Sequence, residues 1–428
     1  MIFENIAVLQ ADGTYLPSCY VGVRGDRIAY IGGNPPVEDY GERIDGKDRL
    51  LMPGMVNAHT HVAMTLLRGY GEDLPLQSWL FDRIFPFEDK LFSEAVYWGS
   101  LLGIAEMLKT GTTSFTDMYY FCDDTVRAVL ESGIKANIGR GISCFDPTKR
   151  LADLPAYAET RELIAQYHGA ENGRVLVDVA PHAEYTTRPD LLQDAASLAA
   201  EHGLRMHIHV SETASEHKEC VGRHGKTPTR LLEQVGMLRQ PLTIAHGVWL
   251  TDDDVHCLTA HDVTLAHCAK SNLKLGSGIA PVVKFREMGL PVAIGTDSAA
   301  SNNALDMVDE MRMAALLAKG STRDAGAMPA GEMLFMGTRA GALSQGRTDC
   351  GDIQIGYRAD LVMLDLTDLG LCPSHAPLSN LLYGAGSRAV CMTVIDGRTV
   401  YKNGEFLTLD IERVRAETQR AVDKIAAK

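Results

Sequence analysis

Eight short apolar runs, each followed by a segment with helical periodicity, constrain the fold of this chain most. Helical periodicity is clear from Glu94 to Leu108 and from Pro189 to His202. The eight runs end near His61, Asp117, Arg140, His182, His209, His246, His267 and Asp297. Strands that alternate with helices form parallel sheets, and eight such units in about 280 residues predict an α/β fold of the (β/α)8 TIM barrel type.

The two chain ends have a different sequence pattern, which predicts short strands separated by glycine turns. They lie at residues 6–9, 20–23 and 27–31, and again at 360–365 and 392–396. Neither end has enough strands for a stable sheet of its own. We therefore expect residues 1–54 and 350–410 to form one small β-sandwich domain, beside a barrel over residues 55–349. Residues 411–428 are predicted to form a charged, amphipathic surface helix.

Charge and cysteine usage narrow the class of protein. The 428 residues carry a formal net charge of -14, which disfavours nucleic acid and anionic membranes as partners. No apolar run approaches transmembrane length, and the first residues do not resemble a signal peptide. The nine cysteines are scattered and include no Cys-x-x-Cys pair, which predicts a reducing, cytoplasmic location.

Polar residues at the ends of the apolar runs predict a metal site. His59 and His61 are two residues apart, so on a strand they project from the same face. His209, His246 and Asp297 follow other runs, at the same end of the predicted barrel. A single histidine at a strand end is more often a packed residue than a ligand, but the joint placement favours a hydrolytic zinc centre that activates water.

Several motifs then carry a family resemblance. The segments 53–61, 209–212, 246–247 and 295–297 resemble the amidohydrolase superfamily, in its cytosine deaminase/chlorohydrolase-like branch. The segments 74–80, 267–275 and 297–303 are most similar to the deaminases of 5-methylthioadenosine and S-adenosylhomocysteine within that branch. The resemblance covers nearly the whole chain.

This resemblance implies one divalent metal ion, held by His59, His61, His209 and Asp297. Zinc is the default for these ligands, although iron and manganese accept the same donors. His207 points to the same face as His209 and is a competing ligand, but the spacing from His209 places Glu212 beside the reacting centre. No lysine ends the fourth strand, which favours a mononuclear site.

The resemblance also implies an activity, the hydrolysis of a carbon–nitrogen bond in a cyclic amidine. The expected reaction is deamination of 5′-methylthioadenosine, S-adenosylhomocysteine or adenosine, which yields the inosine analogue and ammonia. Asp297 would accept the proton of the attacking water, and Glu212 would protonate the ring and then the leaving amine. His246 would hydrogen-bond the water and stabilise developing charge.

Substrate-binding residues are expected from the same resemblance. Trp79 lies in a long, aromatic-rich loop over residues 62–91, which could equally pack at a subunit interface. Glu88 would bind the ribose hydroxyls, and Ser301 would contact the base. Arg140 and His182 would approach the ribose or an amino-acid tail, to which Lys149 and Arg150 could add a second cation.

One position departs from the pattern of these deaminases. Glu184 stands in His182-Ala183-Glu184-Tyr185, where the relatives have proline. Its negative charge near the tail site would favour methylthioadenosine or adenosine, or would mark a different substrate.

Three alternative functions remain at this point. The same metal site could serve another heterocycle, such as guanine or 8-oxoguanine, a pterin, or an aminotriazine or chlorotriazine. A non-catalytic scaffold is opposed by the presence of every ligand, and a nucleic-acid deaminase by the negative charge. A small-molecule substrate is expected, with no nucleic acid or membrane partner. Relatives suggest a homo-oligomer, either a dimer or a tetramer.

Overall fold

Strands from both chain ends share one nine-stranded sheet. The computed structural model describes all residues, 1–428. The sheet order is β18-β17-β16-β15-β5-β1-β2-β3, and β4 pairs with β1. The strands are β1 (Ile2–Leu9), β2 (Tyr15–Arg24), β3 (Arg27–Gly32), β4 (Arg43–Asp45), β5 (Arg49–Pro53), β15 (Leu361–Asp365), β16 (Val390–Ile395), β17 (Arg398–Lys402) and β18 (Glu405–Phe406).

The two halves of this sheet meet at β5 and β15. These strands pair antiparallel from Pro53 with Leu361 to Arg49 with Asp365. The prediction that the chain ends combine into one β unit is confirmed by this pairing. The buried face of the sheet is built from Phe3, Ile6, Val21, Leu51 and Met392, among others, so residues far apart in sequence share one apolar cluster.

Nine further strands form two parallel sheets in the central part of the chain. One sheet has the order β10-β8-β7-β6, with β9 on β8, and the other has the order β11-β12-β13-β14. Nearly all of their residues are buried, as expected for strands covered on both faces. The strands are β6 (Met55–Thr60), β7 (Thr112–Tyr119), β8 (Lys135–Ile142), β9 (Val175–Val177), β10 (Ala180–Pro181), β11 (Met206–Val210), β12 (Leu242–His246), β13 (Val263–His267) and β14 (Val292–Ile294).

Backbone hydrogen bonds join these two sheets at both edges. On one side, His209 N donates to His182 O at 3.0 Å and His207 N donates to Val179 O at 3.1 Å. On the other side, Asp297 N donates to His59 O at 3.0 Å. Each junction therefore lies at a strand end that carries predicted site residues.

The predicted fourth strand is interrupted. The sequence predicts a continuous strand over residues 175–180, but the structure has β9 and β10 with a gap at Asp178 and Val179. Asp178 N still donates to Ile138 O on β8, whereas Val179 N donates to Arg205 O beside β11. The chain changes its pairing partner at this point, which ends the regular ladder.

Helices lie between the strands and cover them. The predicted helix over 189–202 has those bounds in the structure, and the one predicted over 94–108 extends by one residue at each end. The helices are α1 (Leu76–Trp79), α2 (Phe85–Glu88), α3 (Ser93–Lys109), α4 (Cys122–Ser132), α5 (Pro155–Tyr167), α6 (Ala170–Gly173), α7 (Pro189–His202), α8 (Ala214–His224), α9 (Pro228–Gln234), α10 (Asp252–Thr259), α11 (Ala269–Lys274), α12 (Val282–Glu287), α13 (Met307–Thr322), α14 (Ala330–Gly337), α15 (Arg339–Ser344), α16 (Pro377–Asn380) and α17 (Ile411–Ala426).

The loop predicted over residues 62–91 is largely helical, since it contains a 3-10 helix over Val62–Leu67, then α1, a π-helix over Leu80–Ile84, and α2. The last helix, α17, packs on α3, where Thr418 Oγ1 donates to Trp98 O at 3.1 Å. None of the helices combines the length and the apolar character that crossing a membrane requires.

A buried cluster of charges links the parallel strands to the chain-end sheet. Lys135 of β8 is 2% exposed, and its Nζ lies 2.5 Å from Asp360 Oδ2 and 2.6 Å from Asp396 Oδ1. Arg174 contacts the other oxygen of Asp396 at 2.9 Å. Burial lowers the pKa of Lys135, but the carboxylates raise it by more, so the net pKa lies above its usual value.

We expect Lys135→Met to reduce stability by about 3 kcal/mol or more, because it leaves two buried carboxylates without their shared cation. Urea denaturation of the metal-loaded protein would measure the free energy of unfolding. Lys109→Met is the control, since Lys109 is exposed at the end of α3 and has no ion pair. Equal stability of the two variants would contradict this account of Lys135.

Candidate metal centre and active site

Four histidines and one aspartate converge where the strands end. His59 Nε2 and His61 Nε2 lie 3.5 and 3.4 Å from Asp297 Oδ1. His61 Nε2 lies 3.2 Å from His209 Nε2. Two overlapping groups have donor atoms within 4.8 Å of one another: His59, His61 and Asp297, and His59, His209 and His246. The structure therefore brings together every predicted metal ligand, together with His246.

The outer nitrogen of each ring has a partner away from the centre. His61 Nδ1 lies 2.5 Å from Met118 O, and His209 Nδ1 lies 2.7 Å from His182 O. A carbonyl oxygen only accepts hydrogen bonds, so both Nδ1 atoms carry a proton. When such a ring is neutral, its Nε2 carries the lone pair and points toward the centre. Metal-binding histidines are commonly held in this way by a hydrogen bond at the other ring nitrogen.

These inward lone pairs fit a cation. The Nε2 atoms of His61 and His209 lie 3.2 Å apart. His59 Nε2 is buried and has no hydrogen-bond partner. Burial lowers the pKa of His59 to about 4 and holds that of His209 well below its usual value, which keeps both rings neutral at pH 7. Neutral donors around a carboxylate suit a divalent metal ion.

His207, which the sequence left as a competing ligand, lies behind His59. Its Nε2 is 2.8 Å from His59 Nδ1. His207 therefore contacts the back of a predicted ligand ring and acts on its orientation.

Asp297 is held by three hydrogen bonds. Ser271 and Ser301 donate their hydroxyls to Oδ2 at 2.6 and 2.8 Å, and Ser298 N donates to Oδ1 at 2.7 Å. Burial raises the pKa of the Asp297 carboxyl, but the neighbouring His59 and His61 lower it by more, so it lies well below its usual value. Asp297 is thus ionised, with Oδ1 facing the histidines.

The backbone at Asp297 and His246 is in the left-handed region, with φ of 58° and 72°. Non-glycine residues rarely adopt this conformation, and it is concentrated at functional sites. Gly295 makes the approach of β14 to β6 possible, since a Cβ there would lie 2.9 Å from His59 Cβ.

Glu212 and His246 lie side by side next to this centre. The distance from Glu212 Oε2 to His246 Nε2 is 3.8 Å. Ser277 Oγ donates to Glu212 Oε1 at 3.2 Å, and His246 Nδ1 lies 2.9 Å from Asn272 Oδ1. Burial raises the pKa of Glu212 above its usual value. A carboxyl of raised pKa beside an imidazole can transfer protons near neutral pH.

The centre lies in a cavity, and eleven of its nineteen lining residues are hydrophobic. Trp79, Glu88 and His182, which the sequence predicts to bind substrate, all line it. Burial raises the pKa of Glu88 to about 8, against an opposing hydrogen bond from Tyr119. Trp79 is 7% exposed, so it packs inside the chain as well as lining the cavity.

Two of the predicted substrate contacts lie outside the cavity lining. Ser301 is buried and donates to Asp297, so its contact with the base stays a prediction. Arg140 belongs to a neighbouring cleft and is paired with Glu159. Its approach to the substrate also stays a prediction. The exposed Lys149 and Arg150 are likewise absent from the cavity wall.

Glu184 points away from the cavity. Its carboxylate is 2% exposed and accepts a hydrogen bond from Arg223 of α8 at 2.6 Å. The expectation that Glu184 adds a negative charge to the tail site is therefore wrong, because Arg223 compensates that charge behind the wall.

Sequence reasoning missed several residues at the site. Tyr119, Tyr120 and Tyr185 line the cavity, and Asn272 and Ser271 hold His246 and Asp297. The two latter residues lie in the segment 267–275 that carried the family resemblance, and they come directly after the end of β13. Their place after a parallel strand, in a segment that carries the family resemblance, could have indicated a role at the site.

Comparisons with known proteins agree with this geometry. The model of the "Amidohydrolase family" matches residues 50–400. A 5-methylthioadenosine/S-adenosylhomocysteine deaminase from Syntrophomonas wolfei is 39% identical, and the match covers 100% of this chain and 100% of that protein. A 5′-deoxyadenosine deaminase from Methanosphaera stadtmanae is 42% identical, over 99% of this chain and 100% of that protein.

Among solved structures, an adenosine deaminase from Xanthomonas campestris with bound zinc has a TM-score of 0.92 and 33% identity. The match covers 100% of this chain and 98% of that one. The resemblance carried by the sequence motifs is confirmed, and the chain belongs to the amidohydrolase family.

Proposed function

We propose that this chain catalyses the hydrolytic deamination of an adenine nucleoside with a thioether, a hydroxyl or a hydrogen at the 5′ position. 5′-Methylthioadenosine, S-adenosylhomocysteine and adenosine are the candidate substrates, and the products are the inosine analogue and ammonia. The observation that carries the proposal is the convergence of His59, His61, His209 and Asp297 on one point, with Glu212 and His246 beside them in an apolar cavity. Two relatives that match along nearly the full chain, at 39% and 42% identity, are deaminases.

His59, His61, His209 and Asp297 are the residues proposed to hold one divalent cation, with zinc as the first candidate. Zinc in the related adenosine deaminase supports this choice. A cation at this point supplies the positive charge that acidifies water at neutral pH. Imidazole and carboxylate donors also accept iron and manganese, so the ligands alone do not select zinc.

Side chains of the protein are proposed to transfer the protons. Asp297 Oδ1 faces the histidines and is placed to accept the proton of the attacking water. Glu212, whose pKa is raised by burial, can give its own proton to the ring nitrogen next to the amino-bearing carbon as water adds. Glu212 can then move the hydroxyl proton of the tetrahedral carbon to its amino group, so that the carbonyl forms, the carbon–nitrogen bond breaks and ammonia leaves. The proton held by Asp297 passes to Glu212, which restores both side chains. His246 can donate a hydrogen bond to the oxygen that carries the developing charge.

The cavity wall suits a nucleoside. Glu88 is the acceptor proposed for the ribose hydroxyls, and His182 lines the same cavity directly after β10. Trp79, Leu80 and Phe85 supply apolar surface for a 5′ substituent. The number of charged groups away from the metal centre is small, as expected for a pocket that binds a mainly apolar ligand.

The proposed architecture places this site at one end of a closed (β/α)8 barrel over residues 55–349. The hydrogen bonds at both junctions between the parallel sheets support closure. Residues 1–54 and 350–410 are proposed as the accompanying β domain, and residues 411–428 as a C-terminal helix. The cytoplasmic location and the homo-oligomeric state stay predictions.

Replacement of Glu212 tests the proton-transfer role. We expect Glu212→Gln to lower kcat/KM for 5′-methylthioadenosine by about 100-fold or more, because an amide cannot deliver the proton. The loss of adenine absorbance measures the rate, and elemental analysis measures bound metal. Glu219→Gln is the control, since Glu219 is exposed on α8. Activity close to that of the unmodified enzyme, with metal bound, would contradict the role of Glu212.

Removal of the metal tests the ligand set. We expect the purified protein to bind about one zinc ion per chain, as the mononuclear ligand set requires, and to lose deamination on chelation. Zinc should restore activity and raise the unfolding temperature, because it binds only the folded site. His61→Ala should lose the ion, whereas the exposed His375→Ala should retain it. Retention of stoichiometric zinc by His61→Ala would exclude His61 as a ligand.

A third test concerns Glu88. Burial leaves Glu88 largely protonated at pH 7, and a hydrogen bond between uncharged groups contributes about 0.5–1.5 kcal/mol, so Glu88→Ala should lower kcat/KM for 5′-methylthioadenosine by about two- to tenfold. The 2′,3′-dideoxy form of the same nucleoside lacks the hydroxyls, so Glu88→Ala should change its kcat/KM little. An equal loss for both nucleosides would indicate that Glu88 has a purely structural role.

A further inference from the structure

The substrate cavity has no cation with which to bind a carboxylate. None of its nineteen lining residues is lysine or arginine. Away from the metal centre, the carboxyl group in the wall is that of Glu88. A substrate tail with a carboxylate would therefore lose its hydration in the cavity without gaining a counter-ion, which is unfavourable.

One arginine contacts two residues of the cavity wall. Tyr120 and Gly141 line the cavity, and Arg140, which does not line it, contacts both of them. The Arg140 guanidinium carbon is 4.8 Å from the centre of the Tyr120 ring, and Nη1 donates to Gly141 O. The guanidinium therefore lies next to the cavity wall but is held in the neighbouring cleft.

Arg140 is also neutralised by a carboxylate. Its Nε donates to Glu159 Oε2 of α5, 19 residues further along the chain. The Arg140 side chain is 15% exposed, whereas that of Glu159 is 44% exposed. Asp123 and Glu162 line the same cleft and add negative charge around the pair. An incoming carboxylate would have to displace Glu159 and would meet this negative charge.

We propose that Glu159 is a specificity-determining residue, which keeps Arg140 from serving a carboxylate-bearing 5′ substituent. The inference rests on the proposed function. The favoured substrates are then adenine nucleosides with a short, uncharged 5′ substituent, such as methylthio or hydrogen, in preference to the amino-acid tail of S-adenosylhomocysteine.

Other basic residues near the predicted tail site do not replace Arg140. Lys149 and Arg150 are exposed and do not line the cavity. The guanidinium of Arg188 donates to Lys149 O at 2.6 Å and contacts Asp190 at 3.0 Å. The discrimination therefore depends on the one pair of Arg140 and Glu159.

The test compares kcat/KM for 5′-methylthioadenosine and S-adenosylhomocysteine on the zinc-loaded, full-length enzyme. The unmodified enzyme should prefer the methylthio compound by about tenfold or more. Glu159→Gln should raise kcat/KM for S-adenosylhomocysteine by about tenfold, because the tail gains about one charge-assisted hydrogen bond. The same variant should change kcat/KM for 5′-methylthioadenosine by less than about twofold.

Two further variants separate a specific effect from a general one. Glu162→Gln changes the same charge on the same helix, but Glu162 is exposed and has no ion pair, so the substrate ratio should stay unchanged. Adding Arg140→Met to Glu159→Gln should abolish the gain. Turnover of both substrates with the same ratio in Glu159→Gln would overturn the inference and leave the deaminase function standing. Absence of turnover of either nucleoside by every variant would overturn both.

Discussion

The structure of the site depends on the hydrogen bonds that hold the outer nitrogens of the histidine rings. Met118 O and His182 O accept from Nδ1 of His61 and His209, and His207 contacts Nδ1 of His59. With the Nδ1 protons of His61 and His209 engaged outside, the inner nitrogens of these two rings face one small volume beside the Asp297 carboxylate. This is the arrangement that suits metal-binding histidines.

This constraint explains why the site spans the junctions between the two parallel sheets. His59 and Asp297 are linked by backbone at one junction, and His182 and His209 at the other. The left-handed backbone of Asp297 and His246 turns their side chains toward the centre at a local energetic cost. Ser271 and Ser301 donate hydrogen bonds to Asp297, and His246 Nδ1 donates to Asn272 Oδ1, which stabilises these conformations. Rigidity at the centre thus comes in part from residues outside the predicted metal ligands.

Sequence periodicity was sufficient to predict which residues meet, because parallel strands bring their carboxyl ends to one edge. His59, His61, His209 and Asp297 were predicted on that basis and lie together. The direction of long or mobile side chains could not be predicted. Arg140 lies on β8, two residues before the strand ends at Ile142, but its partner Glu159 comes from a helix, and the pairing depends on how α5 packs. Glu184 failed as a prediction for the same reason, since Arg223 lies on a different element.

The pairing of β5 with β15 has a consequence for how the chain assembles. Pro53 precedes the parallel strands and Leu361 follows all of them, so the nine-stranded sheet cannot close until the ribosome has nearly finished the chain. Every metal-centre residue, up to Asp297, is synthesised before β15. During translation the centre can form while β5 still has an unpaired edge, and an early-bound metal ion would hold the parallel strands in place while the N-terminal strands wait for their partners.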